Sequence, residues 1–281
     1  MGGASCRDDV RFVGLIDMDL QLALIWGLTF VIHLIGTLAY SVRIAGVRTG
    51  RIAVSFALFN ILVLVSRTAN GFQAPLLGKR VEMHLGSPNL LSDFRWLLLS
   101  ASVATVAGAL LVPTFQRVFS RAVLHFQKHR SIPRLLLHAL SRGGVAYIKD
   151  VVAVPAAGNL KLLDGHSSVA PSILLLNVAV TALWTVGIFA ALFAGNLNHD
   201  LRGTSSQLSS IVNGVATILM FIFIDPNLSV MTDDVVEGRM GEPSFRRAVI
   251  WLVGSRLAGT LLAQALLLPA SRLIVWTAER I

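Results

Sequence analysis

The sequence predicts an all-α polytopic membrane protein with about six transmembrane helices, and three observations carry that prediction. First, 54% of the 281 residues are hydrophobic and only 14% are charged, whereas about a quarter of a soluble domain is charged. Second, the apolar residues fall into continuous runs long enough to cross a hydrocarbon core of about 30 Å, which takes about 20 helical residues. Third, the 24 Lys and Arg residues outnumber the 15 Asp and Glu residues, and they gather in alternate connections. Together with a mean hydropathy of +0.71, these features exclude an ordinary soluble enzyme and a disordered chain.

Taken in order, the chain divides into a polar segment 1–19, transmembrane helices 1–3 within 20–116, a basic connection 117–170, and transmembrane helices 4–6 within 171–281. The opening MGGASCRDDVRF has no basic start followed by an apolar run and a small-residue cleavage site, so the first span is expected to be retained. Cys6 is the single cysteine, which excludes an intrachain disulfide. Hydropathy places the spans at 20–42, 52–73, 96–116, 171–195, 207–224 and 248–270. Unpaired backbone groups are not tolerated in lipid, so each run reads as a helix.

The odd-numbered connections hold fourteen of the 24 cations, including Arg43, Arg48 and Arg51 in the first and Arg239, Arg246 and Arg247 in the fifth. Cations collect on the cytoplasmic side, so those connections are expected to face the cytoplasm and both termini to face outward. The third connection is the large basic loop between helices 3 and 4. Its FQKHRSIPRLLLHALSRGG reads either as an amphipathic helix on anionic lipid or as a solvated connector. The charge excess is thereby an orientation signal rather than a nucleic-acid footprint. No strong sequence repeat links the two halves, and inverted structural repeats are often invisible in sequence.

Ionisable residues within spans are expensive and mark functional positions. Arg256 lies about 12 Å into the sixth span at 1.5 Å per residue, with Thr260 and Gln264 on the same stripe. His33, Thr37 and Tyr40 form a stripe on the first span, and Asn60, Arg67 and Asn70 occupy the second. Asn177 and Trp184 mark the fourth, and Asn213 and Asp225 the fifth. A shared polar cavity with surplus cation suits an anionic substrate, because Arg offers a planar fork to phosphate oxygens. Two structural alternatives stand beside it: Arg256 pairing with Asp225, and Arg67 reaching to the outer interface. His33 reads as a packing residue or a proton relay.

Known catalytic patterns are missing from the sequence: no HExxH, no G-x-S-x-G and no phosphate-binding G-x-x-x-x-G-K-[ST]. His125 and His129 have a metal-ligand spacing but no accompanying Cys or acid, and Asp233, Asp234, Glu237 and Glu242 read as a solvated turn. No cofactor and no metal are expected.

The stretch TLAYSVRIAGVRTGRIAVSFALFNILVLVSRTANGFQAPLLG (37–78) resembles the Amj family (alternate to MurJ) of bacterial lipid II flippases. Blocks at 108–123, 175–192, 209–234 and 251–271 resemble the same family, so the likeness touches all six spans in order. It implies a multi-pass protein of the bacterial cytoplasmic membrane that carries undecaprenyl-pyrophosphate-linked peptidoglycan precursor from the inner to the outer leaflet, and a transporter rather than an enzyme. On that reading lipid II and anionic lipids are the partners, with room for a homo-oligomer. Arg43, Arg48 and Arg51 would gather the head group. Arg67, Asn70, Arg256 and Gln264 would hold it deeper, and His33, Tyr40, Asn60, Asn213 and Asp225 would line the cavity or relay protons. The alternatives are an exporter of another polyprenyl-linked anionic glycan, an enzyme of polyprenyl-pyrophosphate metabolism, or a scaffold.

Overall fold

Asp19 starts the first helix by accepting the Leu22 N–H at 2.7 Å, which satisfies one of the donors that a helix start leaves free. The computed structural model describes residues 19–87, 89–129, 151–153 and 169–281; the described residues form helices and no strand. Six spans follow in order. They are α1 (Leu20–Thr49), α2 (Ile52–Met83), α3 (Asn89–His129), α4 (Pro171–Leu197), a composite fifth span, and α7 (Glu242–Ala278). The fifth span joins α5 (Arg202–Leu219) through a π-helical turn (Met220–Ile224) to α6 (Asp225–Val236). Cys6 and residues 130–150 of the basic connection lie outside the described residues, as does the His129 side chain on which the two-histidine spacing depends.

Every helix extends past its apolar run, because hydropathy marks only the lipid-buried part while the helix continues with polar side chains. The consequences correct the predicted loops. The first connection shrinks to Gly50 and Arg51, with Gly50 at φ 63° donating to Gly46 and Val47 carbonyls. Arg43 and Arg48 therefore belong to α1, and residues 117–129 belong to α3. Asp225 does not end a helix. Pro226 has no N–H to donate, and the chain enters it through the π-helical turn, where the Asp225 N–H reaches the Met220 carbonyl; π-turns of this kind recur at functional sites. Asp233 and Asp234 sit on α6 rather than in a turn.

Packing is organised around α1, which carries α2 and α3 on its flanks, and α4, which carries α5 and α7; α3 and α7 join the two groups. Small residues let backbones approach, as membrane helices require. A Cβ added at Gly108 would lie 2.7 Å from the Thr37 Cβ, and one added at Gly259 would lie 2.6 Å from the Val178 carbonyl.

The two ends of the bundle differ. Where α1 begins and α2 finishes, Leu22, Leu77, Val81, Phe94, Phe189 and Leu267 fill the interior. Phe94 meets Phe189 and Phe193 with ring centroids 5.8 and 5.6 Å away. Arg80 bolts that end, reaching Asp93 at 2.7 Å and Asp19 at 2.6 Å. The other end, which carries the first, third and fifth connections, has its own apolar cluster around Ile44, Phe245, Val249 and Leu252, but it also borders an open space.

Candidate functional site

A cavity of about 490 Å³ opens beside that cluster, walled by α1, α2, α4, the fifth span and α7. Each wall contributes polar groups from an otherwise apolar helix. From α1 come Tyr40 and Arg43, from α2 Arg67 and Asn70, from α4 Asn177 and Trp184, from the fifth span Asn213 and Asp225, and from α7 Arg256.

The three arginines are held in different ways. Arg43 is clamped: it pairs with Asp225 at 2.8 Å, donates to Ser229 at 3.3 Å, and faces the Phe56 and Phe59 rings at 5.2 Å each. Arg256 is only 7% exposed, yet its Nε has no hydrogen-bond partner. Among the described residues no carboxylate pairs with it. Gly36 makes room for its guanidinium, since a Cβ there would overlap it. Arg67 is exposed at the rim, beside the exposed Ile218 and Phe221. That rim lies between α2 and the fifth span, so the cavity is continuous with the lipid-facing surface. The Asn213 Oδ1 is likewise buried without a partner, and Gly187 leaves the space it fills.

A largely apolar pocket that carries three arginines, with a rim of exposed apolar residues, fits a phosphate-bearing head group on an apolar tail. Comparison with known proteins decides the family. The model of the family described as "Amj: Alternate to MurJ" matches residues 28–278. The chain belongs to the Amj family. A curated relative, "Lipid II flippase Amj" of Bacillus subtilis (strain 168), is 34% identical over 262 residues, covering 91% of this chain and 96% of that protein. No solved structure matches the chain.

Within this Amj-family chain the structure gathers Tyr40, Arg43, Arg67, Asn70, Asn213, Asp225 and Arg256 on one cavity. It places the other expected site residues elsewhere. Arg51 is exposed at the start of α2, and Asn60 is exposed on it. Arg48 pairs with Glu242 at 3.0 Å and borders a separate basic hollow with Arg117 and Arg121. Gln264 donates to the Arg95 carbonyl at 2.9 Å, which ties α7 to α3. His33 is buried against the Trp184 edge, with centroids 5.7 Å apart, so Trp184 stands between it and the cavity. Asp225 pairs with Arg43 and not with Arg256, because Arg43 is carried on the helical extension of α1 that hydropathy assigned to a loop. Sequence reasoning missed Phe56 and Phe59, which look like ordinary lipid-facing residues, and Gly36, whose place one turn before Tyr40 was a signal within reach.

Proposed function

We propose that this protein is a lipid II flippase of the bacterial cytoplasmic membrane, a transporter rather than an enzyme of the pyrophosphate. The observation that carries the reading is the burial of Arg256, with no acidic partner among the described residues, in a cavity whose rim faces lipid. An unpaired buried cation is costly, and a pyrophosphate entering the cavity supplies the charge it lacks. Arg256 and Arg67 grip the phosphates, with Asn70 and Asn213 as uncharged donors. The polyprenyl tail stays in the bilayer through the gap between α2 and the fifth span. The basic connections face the cytoplasm, which makes the described state the one that loads from the inner leaflet. Arg48 and Arg51, with Arg117 and Arg121 nearby, draw anionic lipid to that mouth.

The test is depletion of a host's resident lipid II flippase while this protein is expressed, with lipid II exposure read by an externally added, membrane-impermeant probe. Exposure sustained by this protein supports the reading. Its loss, with membrane insertion confirmed, overturns it.

A further inference from the structure

The contact pattern of helices 1–3 recurs in helices 4–6, and the recurrence can be followed to individual residues. In each half the first helix packs on the second and third, and the two third helices, α3 and α7, pack on one another. Cross-contacts follow the same exchange: α2 touches α4 as α6 touches α1, and α3 touches α4 as α7 touches α1.

With the helices registered in this way, sequence correspondences appear on all three pairs. TLAYSV (37–42) matches TALWTV (181–186), SRTANG (66–71) matches SSIVNG (209–214), and AGALL (107–111) matches AGTLL (258–262). Phe94–Arg95 precedes its AG pair by the same spacing as Phe245–Arg246, and both phenylalanines are 0% exposed. The blocks keep their order and nearly their spacing, the main difference being the connection between the second and third helices.

Equivalent residues also make equivalent contacts. The Gly108–Thr37 approach has its mate in Gly259–Thr181, and an added Cβ would come within 2.7 Å of the threonine Cβ in both. His33 lies against Trp184, and its mate contact, the Asn177 side chain against the Tyr40 hydroxyl, is also made. Asp225 maps onto Glu82, and each acid pairs with an arginine of the other half, although the two arginines are not mates: Asp225 with Arg43 at 2.8 Å, Glu82 with Arg202 at 3.9 Å. Three spans per half reverse the second half relative to the first, so these are inverted repeats.

Asn70 and Asn213 are mates, and both line the cavity. The three cavity arginines are not duplicated: Arg43 corresponds to Gly187, Arg67 to Ser210 and Arg256 to Thr105. The cavity itself is unsymmetrical in this state. Met220 and Arg256 line it, while their mates Leu77 and Thr105 are 0% exposed, Leu77 within the apolar cluster at the Arg80 end.

We infer that the cavity is one of two forms, related by a pseudo-two-fold rotation, of a single head-group site, with Asn70 and Asn213 as its equivalent ligands, and that exchange of packing between the inverted halves presents this site to the opposite membrane face. The inference rests on the flippase reading for its substrate, whereas the repeat stands on the contacts and the sequence correspondences without it. In the second form the Arg80 end opens, and Leu77 and Thr105 line the cavity as Met220 and Arg256 do here. Leu98 stays covered in both forms, because it is 0% exposed and its mate Val249 is 3% exposed.

The test uses purified full-length protein in lipid nanodiscs, with Cys6→Ser as background and a hydrophilic maleimide as probe. Leu77→Cys and Thr105→Cys are expected to label at about 0.1–10% of the rate of an exposed thiol, the range set by a minor state's population, and Leu98→Cys is expected to stay protected. Joining Glu82→Cys to Arg202→Cys with a short, reducible thiol crosslinker should abolish the labelling, and reductant should restore it. Protection of Leu77→Cys and Thr105→Cys equal to that of Leu98→Cys overturns the exchange, as does labelling that the crosslink leaves unchanged. Labelling as expected in a protein that fails to expose lipid II in cells keeps the exchange and discards the substrate.

Discussion

Removing Arg256 and removing Arg43 should have opposite effects on stability while both impair transport. Arg256 has no acidic partner among the described residues and is 7% exposed, so Arg256→Gln deletes a charge that the folded bundle holds at a cost. An arginine at the centre of a spanning helix costs about 2.5–3.5 kcal/mol on insertion scales, which bounds the gain, and the buried polar surroundings leave a smaller part of it. The variant should be as stable as the parent or up to about 2 kcal/mol more stable. Arg43→Gln instead strands Asp225, its ion-pair partner at 2.8 Å. Breaking a buried pair costs about 3–5 kcal/mol. The 21% exposure of the Asp225 side chain points to the lower end. At roughly 2–4 °C per kcal/mol for chains approaching this length, Arg43→Gln should lower the unfolding midpoint by about 6–12 °C. Thermal unfolding in detergent, read by tryptophan fluorescence and run beside the lipid II exposure assay, checks both. Arg256→Gln that destabilises as much as Arg43→Gln, or that transports like the parent, refutes the claim that this cation is kept for an anionic ligand.

Gly259→Ala brings a Cβ to 2.6 Å from the Val178 carbonyl, while Gly254→Ala on the same helix meets nothing within 4 Å. Overpacking costs about 1–3 kcal/mol against a helix-propensity gain of about 1 kcal/mol, so unfolding midpoints should fall for the first and hold or rise for the second. Arg80→Met removes the bolt that joins Asp19 and Asp93. It should destabilise the filled end by about 3 kcal/mol, and a faster hydrogen exchange confined to α1, α2 and α3 near that end would locate the loss. Burial opposes ionisation of Asp19, but the Leu22 N–H and the Arg80 guanidinium outweigh it and hold its carboxyl below the usual range. That contribution is present above the unfolded-state pKa, about 3.9, and is lost as pH falls through the lower folded value. Asp19→Asn should therefore flatten the stability decline below about pH 4 and leave its slope at neutral pH unchanged.

The six spans were legible because lipid imposes one demand, continuous apolar helix, that hydropathy reads directly. Their ends were not. Arg43, Arg48 and residues 117–129 looked like loop because their side chains are polar, yet the backbone there stays helical. That misreading hid the Arg43–Asp225 pair, which needs Arg43 on α1 and Asp225 inside a continuous fifth span. Arg67, Asn70, Asn213 and Arg256 were legible as polar positions costly in lipid, and they meet on one cavity. Gln264 and Asn60 satisfied the same criterion and lie elsewhere, because a polar residue in a span also serves helix joining or simply faces outward. Periodicity places a residue on a stripe; only the packing of α4 and α7 decides which stripes converge.

The repeat explains why charge and hydrogen bonding are arranged so differently around the cavity. A site that must be presented to both faces by exchange of two inverted halves needs ligands that look alike from either side, and the Asn70–Asn213 pair meets that condition. The cations do not: Arg67 and Arg256 come from different halves and correspond to Ser210 and Thr105. If the halves exchange, the guanidinium groups change their depth and surroundings while the two amides keep equivalent places. The described state puts Arg43 and Arg256 in the parts of their helices nearer the basic connections, and Arg67 at the middle of α2. An anionic head group then meets Arg43 and Arg256 on loading but not in the exchanged form, where Thr105 and Leu77 would line the opening and Arg67 would take the place of Ser210. A substrate gripped equally on both sides would gain nothing from opening outward, whereas one that loses cationic contacts there is released. The departures from symmetry thus carry direction, and the symmetric pair carries the path.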